Sequence, residues 1–250
     1  MENRYLGAVC ETGNGSPIFL VPSAGSTFFS FVTLAKTLEP KRPVYSFDLT
    51  ELKVTASVHA TIGDIADSLL AEIRSVRPSG PYCIGGHCWG GLVALEIAAK
   101  LEAADETVSA LILLESFVPC ACGIRSSRTS GDADQSPEKL EAELNQILED
   151  TLMHARARLS SMPGQYADRL VQLTHDQIKT SSMYQAPTID APIFLLRTRT
   201  HGDLVFRGWE SLTRSTLVEK TIPGDTHSIL ENPDVEAMSS EIQRVLARLS

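Results

Sequence analysis

No run of about 18 apolar residues occurs in this 250-residue chain, so no segment has the length and hydropathy of a membrane-spanning helix. Residues 1–15, MENRYLGAVCETGNG, lack a basic stretch followed by an apolar one. No secretory signal is therefore expected, and the expected compartment is the cytoplasm. Basic charge is in deficit: 22 Lys and Arg stand against 31 Asp and Glu, leaving a net charge of −9. Bulk electrostatics thus oppose nucleic acid and anionic membranes as partners. Cysteine is sparse, with five residues at irregular spacing (Cys10, Cys83, Cys88, Cys120, Cys122), which argues against a disulfide framework. Cys120 and Cys122 lack His or Cys partners at finger-like spacing, so no metal is expected. No internal repeat is present. What remains is an ordinary globular composition, 43% hydrophobic and 21% charged, long enough for one α/β domain or two small ones.

Short apolar runs alternate with helical patterns. Strands are expected over 17–22, 43–49, 82–86, 108–116, 191–199 and 215–222, and helices over 28–38, 61–76, 89–101 and 233–249, with another near 205–214. Thr61 is the expected N-cap of the second helix. This rhythm predicts an α/β fold with a mainly parallel sheet and helices on both faces. It breaks at 120–185, where a polar Gly/Ser-rich stretch (123–136) precedes two helical patterns (137–159 and 163–185), each opened by a proline. The economical picture is one sheet carrying a helical insertion.

Between a strand and an apolar helix, Gly86-His87-Cys88-Trp89-Gly90 fits a Gly-x-nucleophile-x-Gly turn, with cysteine where serine is usual. Such a turn presents the nucleophile at the top of the sheet and aims the next N–H, here that of Trp89, at an oxyanion. A second donor is expected from the loop VPSAGST (21–27), with Ala24 first and Gly25 or Ser26 next. His227, between the last strand and the last helix, is the candidate general base. His87 is read as packing and His154, His175 and His201 as surface or lid residues; His59 has no assigned role. Two carboxylates could orient His227: Glu115, ending a buried strand, and Asp203, in the loop after 191–199. Glu115 is favoured, because a carboxylate there without a purpose would be costly to bury. Asp225 is read as shaping the His227 loop.

In order and spacing, PIFLVPSAGSTFFSFVTLAKTLEPKRPVYSFDL, GPYCIGGHCWGGLVALEIAAKL, ALILLES and GDTHSIL resemble the thioesterase domains that end nonribosomal peptide and polyketide synthases. The likeness spans nearly the whole chain. It implies an α/β-hydrolase fold over 1–250 as a single domain, with a helical lid near 120–187, and it supports Glu115 as the acid. It also implies that a carrier protein presents an acyl or peptidyl chain on its phosphopantetheine arm, with no other cofactor. The chain is then released by hydrolysis or by attack of an internal nucleophile. Serine and aspartate are usual where this sequence has Cys88 and Glu115.

A free thiol ionises near ~8.5, and a nearby histidine and a helix N-terminus are expected to lower that value at Cys88. Acyl transfer from a carrier thiol to Cys88 exchanges one thioester for another and keeps the acyl group activated. Release by ring closure, to a strained lactam or lactone, is the expected use of that reactivity. The rival readings are a stand-alone proofreading thioesterase using Asp203, a cysteine lactone hydrolase of the dienelactone class, and a non-catalytic domain that only docks a carrier.

Overall fold

The computed structural model describes residues 5–38, 41–50, 61–118, 137–159, 164–181 and 184–249. Cys120, Cys122, His59, the polar stretch 123–136 and the start of the expected lid lie outside these residues, as does the His154 side chain. Seven strands form one sheet: β1 (Leu6–Cys10), β2 (Ile18–Val21), β3 (Val44–Phe47), β4 (Tyr82–His87), β5 (Val108–Leu114), β6 (Ile193–Arg197) and β7 (Leu217–Thr221). Their order is β1-β3-β2-β4-β5-β6-β7. All neighbours run parallel except β1, which pairs antiparallel with β3 through Leu6–Phe47 and Gly7–Ser46. This edge strand is an addition to the expected set. Its five residues are only half-buried or exposed, so they lack the apolar run that marks the inner strands.

Strand periodicity sorts the core into two layers. Phe19, Ile84, Leu111, Leu113 and Leu195 face helices α2 (Ile62–Val76) and α3 (Trp89–Glu102). Ile18, Leu20, Cys83, Ile112, Leu114 and Leu196 face α1 (Val32–Thr37) and the final helix, α6 (Val235–Ala247). Alternate residues of one strand thus feed opposite faces, and a strand buried on both reads as a continuous apolar run. Cys83 serves as a small hydrophobe, its thiol pushed up to about 12 by burial. Helix α2 starts at Thr61, as expected. The Thr61 hydroxyl accepts the Asp64 N–H at 3.2 Å, and the Asp64 carboxylate accepts the Thr61 N–H at 2.9 Å. This reciprocal cap contributes about 1 kcal/mol.

Two departures are local. The helix expected from residue 28 begins as a 3₁₀ turn (Phe28–Phe31) before α1. The one expected near 205–214 is two 3₁₀ turns, Asp203–Phe206 and Trp209–Leu212, separated by Gly208 at φ 112°. A residue in that left-handed conformation cannot continue a helix. Between β5 and β6 the chain inserts α4 (Pro137–Leu159) and α5 (Gly164–Ser181), which pack on each other over the C-terminal end of the sheet.

Candidate active site

Cys88 sits between β4 and α3 with φ 52° and ψ −122°, a conformation that costs a non-glycine residue about 1–3 kcal/mol. Hydrogen bonds hold it there. Its N–H donates to the Leu114 carbonyl at 2.8 Å, and its carbonyl accepts the Gly91 N–H at 3.0 Å. Close packing completes the turn. A Cβ on Gly90 would lie 2.4 Å from the carbonyl oxygens of Val21 and Pro22, so only glycine lets α3 come this near β2.

The thiol opens on a cavity of about 400 Å³. Leu92, Phe117 and Val118 line it from the sheet side, and Leu144, Ile147 and Ile178 from the inserted helices. His175 and Lys179 on α5 add polar groups to the same wall. His175 is exposed on an inserted helix, as expected, and it also lines this cavity.

Burial dominates the state of the thiol. It pushes Cys88 up to about 12, opposed by the Trp89 N–H and reinforced by the negative charge of Glu115. This reverses the expected lowering. A helix N-terminus does act on the sulfur, but losing water penalises the thiolate more. The direction of this shift favours the neutral thiol.

Glu115 stands one residue past β5, fully buried, at φ 48°. One carboxylate oxygen accepts the Thr198 N–H, and the other accepts the Thr226 hydroxyl at 2.7 Å. Burial raises its carboxyl above the ordinary range against the pull of these two donors. Thr198 and Thr226 belong to the loops after β6 and β7, so Glu115 fastens both loops to the end of β5. Thr200 extends the clasp: its hydroxyl accepts the Thr226 N–H at 3.2 Å and donates to Asp225 at 3.3 Å. His227 follows directly, exposed, its N–H donating to Asp225 at 2.9 Å. That bond and the nearby imidazole hold the Asp225 carboxyl below its usual range.

Asp203 is engaged elsewhere. Its carboxylate pairs with Arg197 at 2.7 Å, and Arg197 also binds Glu219 and lies over the Phe206 ring. His201 packs edge-on against Phe117, with centroids 5.2 Å apart, and its pKa is lowered by burial and by neighbouring His227. It is partly exposed and packs on Phe117, a residue of the cavity wall.

The loop after β2 supplies the candidate second donor. The Gly25 N–H donates to Gln177 Oε1 at 2.8 Å, and the Ser26 N–H to the Ser23 carbonyl at 3.0 Å. The Ala24 N–H makes no hydrogen bond among the described residues. Among the described residues, Ala24 alone of these three amides keeps its donor available.

The family model for the thioesterase domain matches residues 16–246. Vanchrobactin synthetase VabF of Vibrio anguillarum is 28% identical over 210 residues, covering 80% of this chain but only 7% of that protein. The chain therefore spans a small fraction of the curated relatives it matches. Among solved structures, the NocB thioesterase domain from the nocardicin cluster superposes with a TM-score of 0.75 at 21% identity, covering 97% of this chain and 99% of that one. AB3403, a four-domain nonribosomal peptide synthetase, gives 0.72 at 19% identity, with 96% of this chain matching 20% of that one. At these identities the structural likeness speaks to the fold.

Proposed function

The chain belongs to the thioesterase domain family, and we propose that it releases an acyl or peptidyl chain from the phosphopantetheine thioester of a carrier protein through an acyl-Cys88 intermediate. The observation that carries this reading is Cys88 itself, held in a strained turn on the wall of a largely apolar cavity. The phosphopantetheine arm arrives with the substrate, and no resident cofactor takes part. We read the whole chain as one domain whose insertion, near 120–187, forms the lid.

A neutral thiol needs a base at the moment of attack. His227 takes the Cys88 proton as sulfur adds to the thioester carbonyl. The resulting oxyanion lies between the N–H groups of Ala24 and Trp89. Collapse breaks the bond to the pantetheine sulfur, which leaves with the proton held by His227. In the second half His227 deprotonates water or a nucleophile within the acyl chain, which attacks the acyl-Cys88 carbonyl and frees the thiol. Glu115 acts on His227 through Thr226, by fixing the loop that carries the base. Because Cys88 retains a thioester, the acyl group remains reactive enough for a weak internal nucleophile, as ring closure requires.

The test is turnover of a carrier-bound acyl thioester against a small lactone, with Cys88→Ala as control and Cys88→Ser as probe. Release from the carrier, lost in Cys88→Ala, is the expected result. Cys88→Ser should still load acyl groups but cyclise poorly. The same cyclic product at the same rate from Cys88→Ser would remove the argument from sulfur, and turnover of the lactone alone would overturn the proposal.

A further inference from the structure

Resting on that reading, we propose that Gln177 is a positioning residue: from lid helix α5 it binds the Gly25 N–H, locks the oxyanion loop, and ties a working oxyanion hole to a closed lid. The Gln177 side chain is 1% exposed and reaches 152 positions back along the chain to make this 2.8 Å bond. Burying a flexible amide costs rotamer entropy and hydration, and an apolar residue would fill the same place more cheaply. Its acceptor is spent on one backbone N–H of the loop carrying the candidate oxyanion donor.

The contact is built from both sides. Gly25 takes φ +68°, and a Cβ there would lie 1.9 Å from the Thr174 hydroxyl of α5. Thr174, fully buried, turns that hydroxyl to the Leu170 carbonyl at 2.8 Å. One turn beyond Gln177, the Thr180 hydroxyl accepts the Trp89 indole N–H at 3.1 Å and donates to the Gln177 carbonyl at 2.6 Å. Residues 174, 177 and 180 recur at helical spacing on one face. That face therefore grips both ends of the oxyanion hole: Gly25 beside Ala24, and Trp89 itself. Moving α5 away to admit substrate breaks the Gln177 bond and releases the loop from its reactive shape. Acyl transfer then waits for the lid to close, when bulk water is excluded.

The experiment compares two rates at Cys88. Acylation by an acyl-pantetheine thioester, read by rapid-quench intact mass, needs the oxyanion hole. Alkylation by iodoacetamide does not. Gln177→Met should slow acylation about 10-fold or more, short of the 10²–10³-fold lost when a donor is deleted outright. Alkylation should stay near the wild-type rate. Gln177→Glu, which keeps an oxygen of the same reach, should recover acylation. Should Gln177→Met not remain folded, Thr180→Val is read for the same split between the two rates. Wild-type acylation in these variants, or a parallel fall of both rates, would overturn the positioning role. A wild-type chain that takes up no acyl group would instead overturn the acyl-Cys88 reading.

Discussion

Two helices meet Cys88 from opposite sides and are held by different forces. Beneath it, α3 buries Trp89, Leu92, Val93, Leu95, Ile97 and Leu101, with small residues between them. Above it, α5 buries Leu170 and Leu173 but also Thr174 and Gln177. The lower helix is placed by apolar area, a non-directional force shared among many side chains. The upper one combines such contacts with a few directional hydrogen bonds, among them Gln177 to Gly25 and Thr180 to Trp89. Change on the α3 side should act through stability or abolish the nucleophile outright. Change on the lid and loop side should give graded losses of rate in a protein that still folds.

The largest effect expected belongs to the elbow. Cys88→Ala should cost at least about 10⁴-fold in release of a carrier-bound acyl group, as removing a nucleophile does elsewhere, while thermal unfolding changes little. Next come the carboxylates. Glu115→Gln should lose about 10²-fold in turnover, as misplacing a catalytic group does, whereas Asp203→Asn should stay within about 3-fold because the Asp203 carboxylate is itself largely solvent-facing in its pair with Arg197. A larger loss in Asp203→Asn than in Glu115→Gln would favour the proofreading architecture. Thr226→Val tests whether Glu115 works through the threonine clasp. It should remove about 1–2 kcal/mol of stability by leaving a buried acceptor unpaired, with a loss of turnover smaller than that of Glu115→Gln.

Acid–base behaviour sharpens the contrast. With its thiol pushed up to about 12, Cys88 should react with iodoacetamide at a rate that rises about 10-fold per pH unit above neutrality, with no plateau below that value. A plateau near neutral pH would mean a thiolate stabilised at rest. The smallest effect concerns Glu115. Unfolded, a glutamate ionises near about 4.3; in the fold burial raises it. The unfolded chain therefore loses this proton first, and stability falls as pH climbs from the ordinary carboxylate range to the raised value. Melting curves of Glu115→Gln over that range should show a shallower fall.

The inner sheet was legible because strands buried on both faces read as unbroken apolar runs, as β5 and β6 do. The elbow was legible because its glycines are local requirements of one turn. Strand β1 was not, since an edge strand half-covered by its neighbour has no apolar signature. Nor was the clasp around Glu115: Thr198 and Thr226 lie 83 and 111 positions away, and a threonine after a strand resembles any other. Gln177 carries still less signal, because its partner is a backbone N–H and no side-chain pairing marks it. The thiol's resting state also escaped local reading. The helix N-terminus is visible in the sequence, but the burial that outweighs it depends on how the whole chain packs around the sulfur.

The central claim is that Cys88 carries the acyl group. The direct measurement is intact mass of the protein after mixing with an acyl-carrier thioester and acid quenching, with the adduct mapped by peptide fragmentation. The account predicts a mass increase of one acyl group on Cys88, sensitive to hydroxylamine and absent in Cys88→Ala. Release of the chain without any adduct on Cys88, or with equal speed in Cys88→Ala, would contradict it.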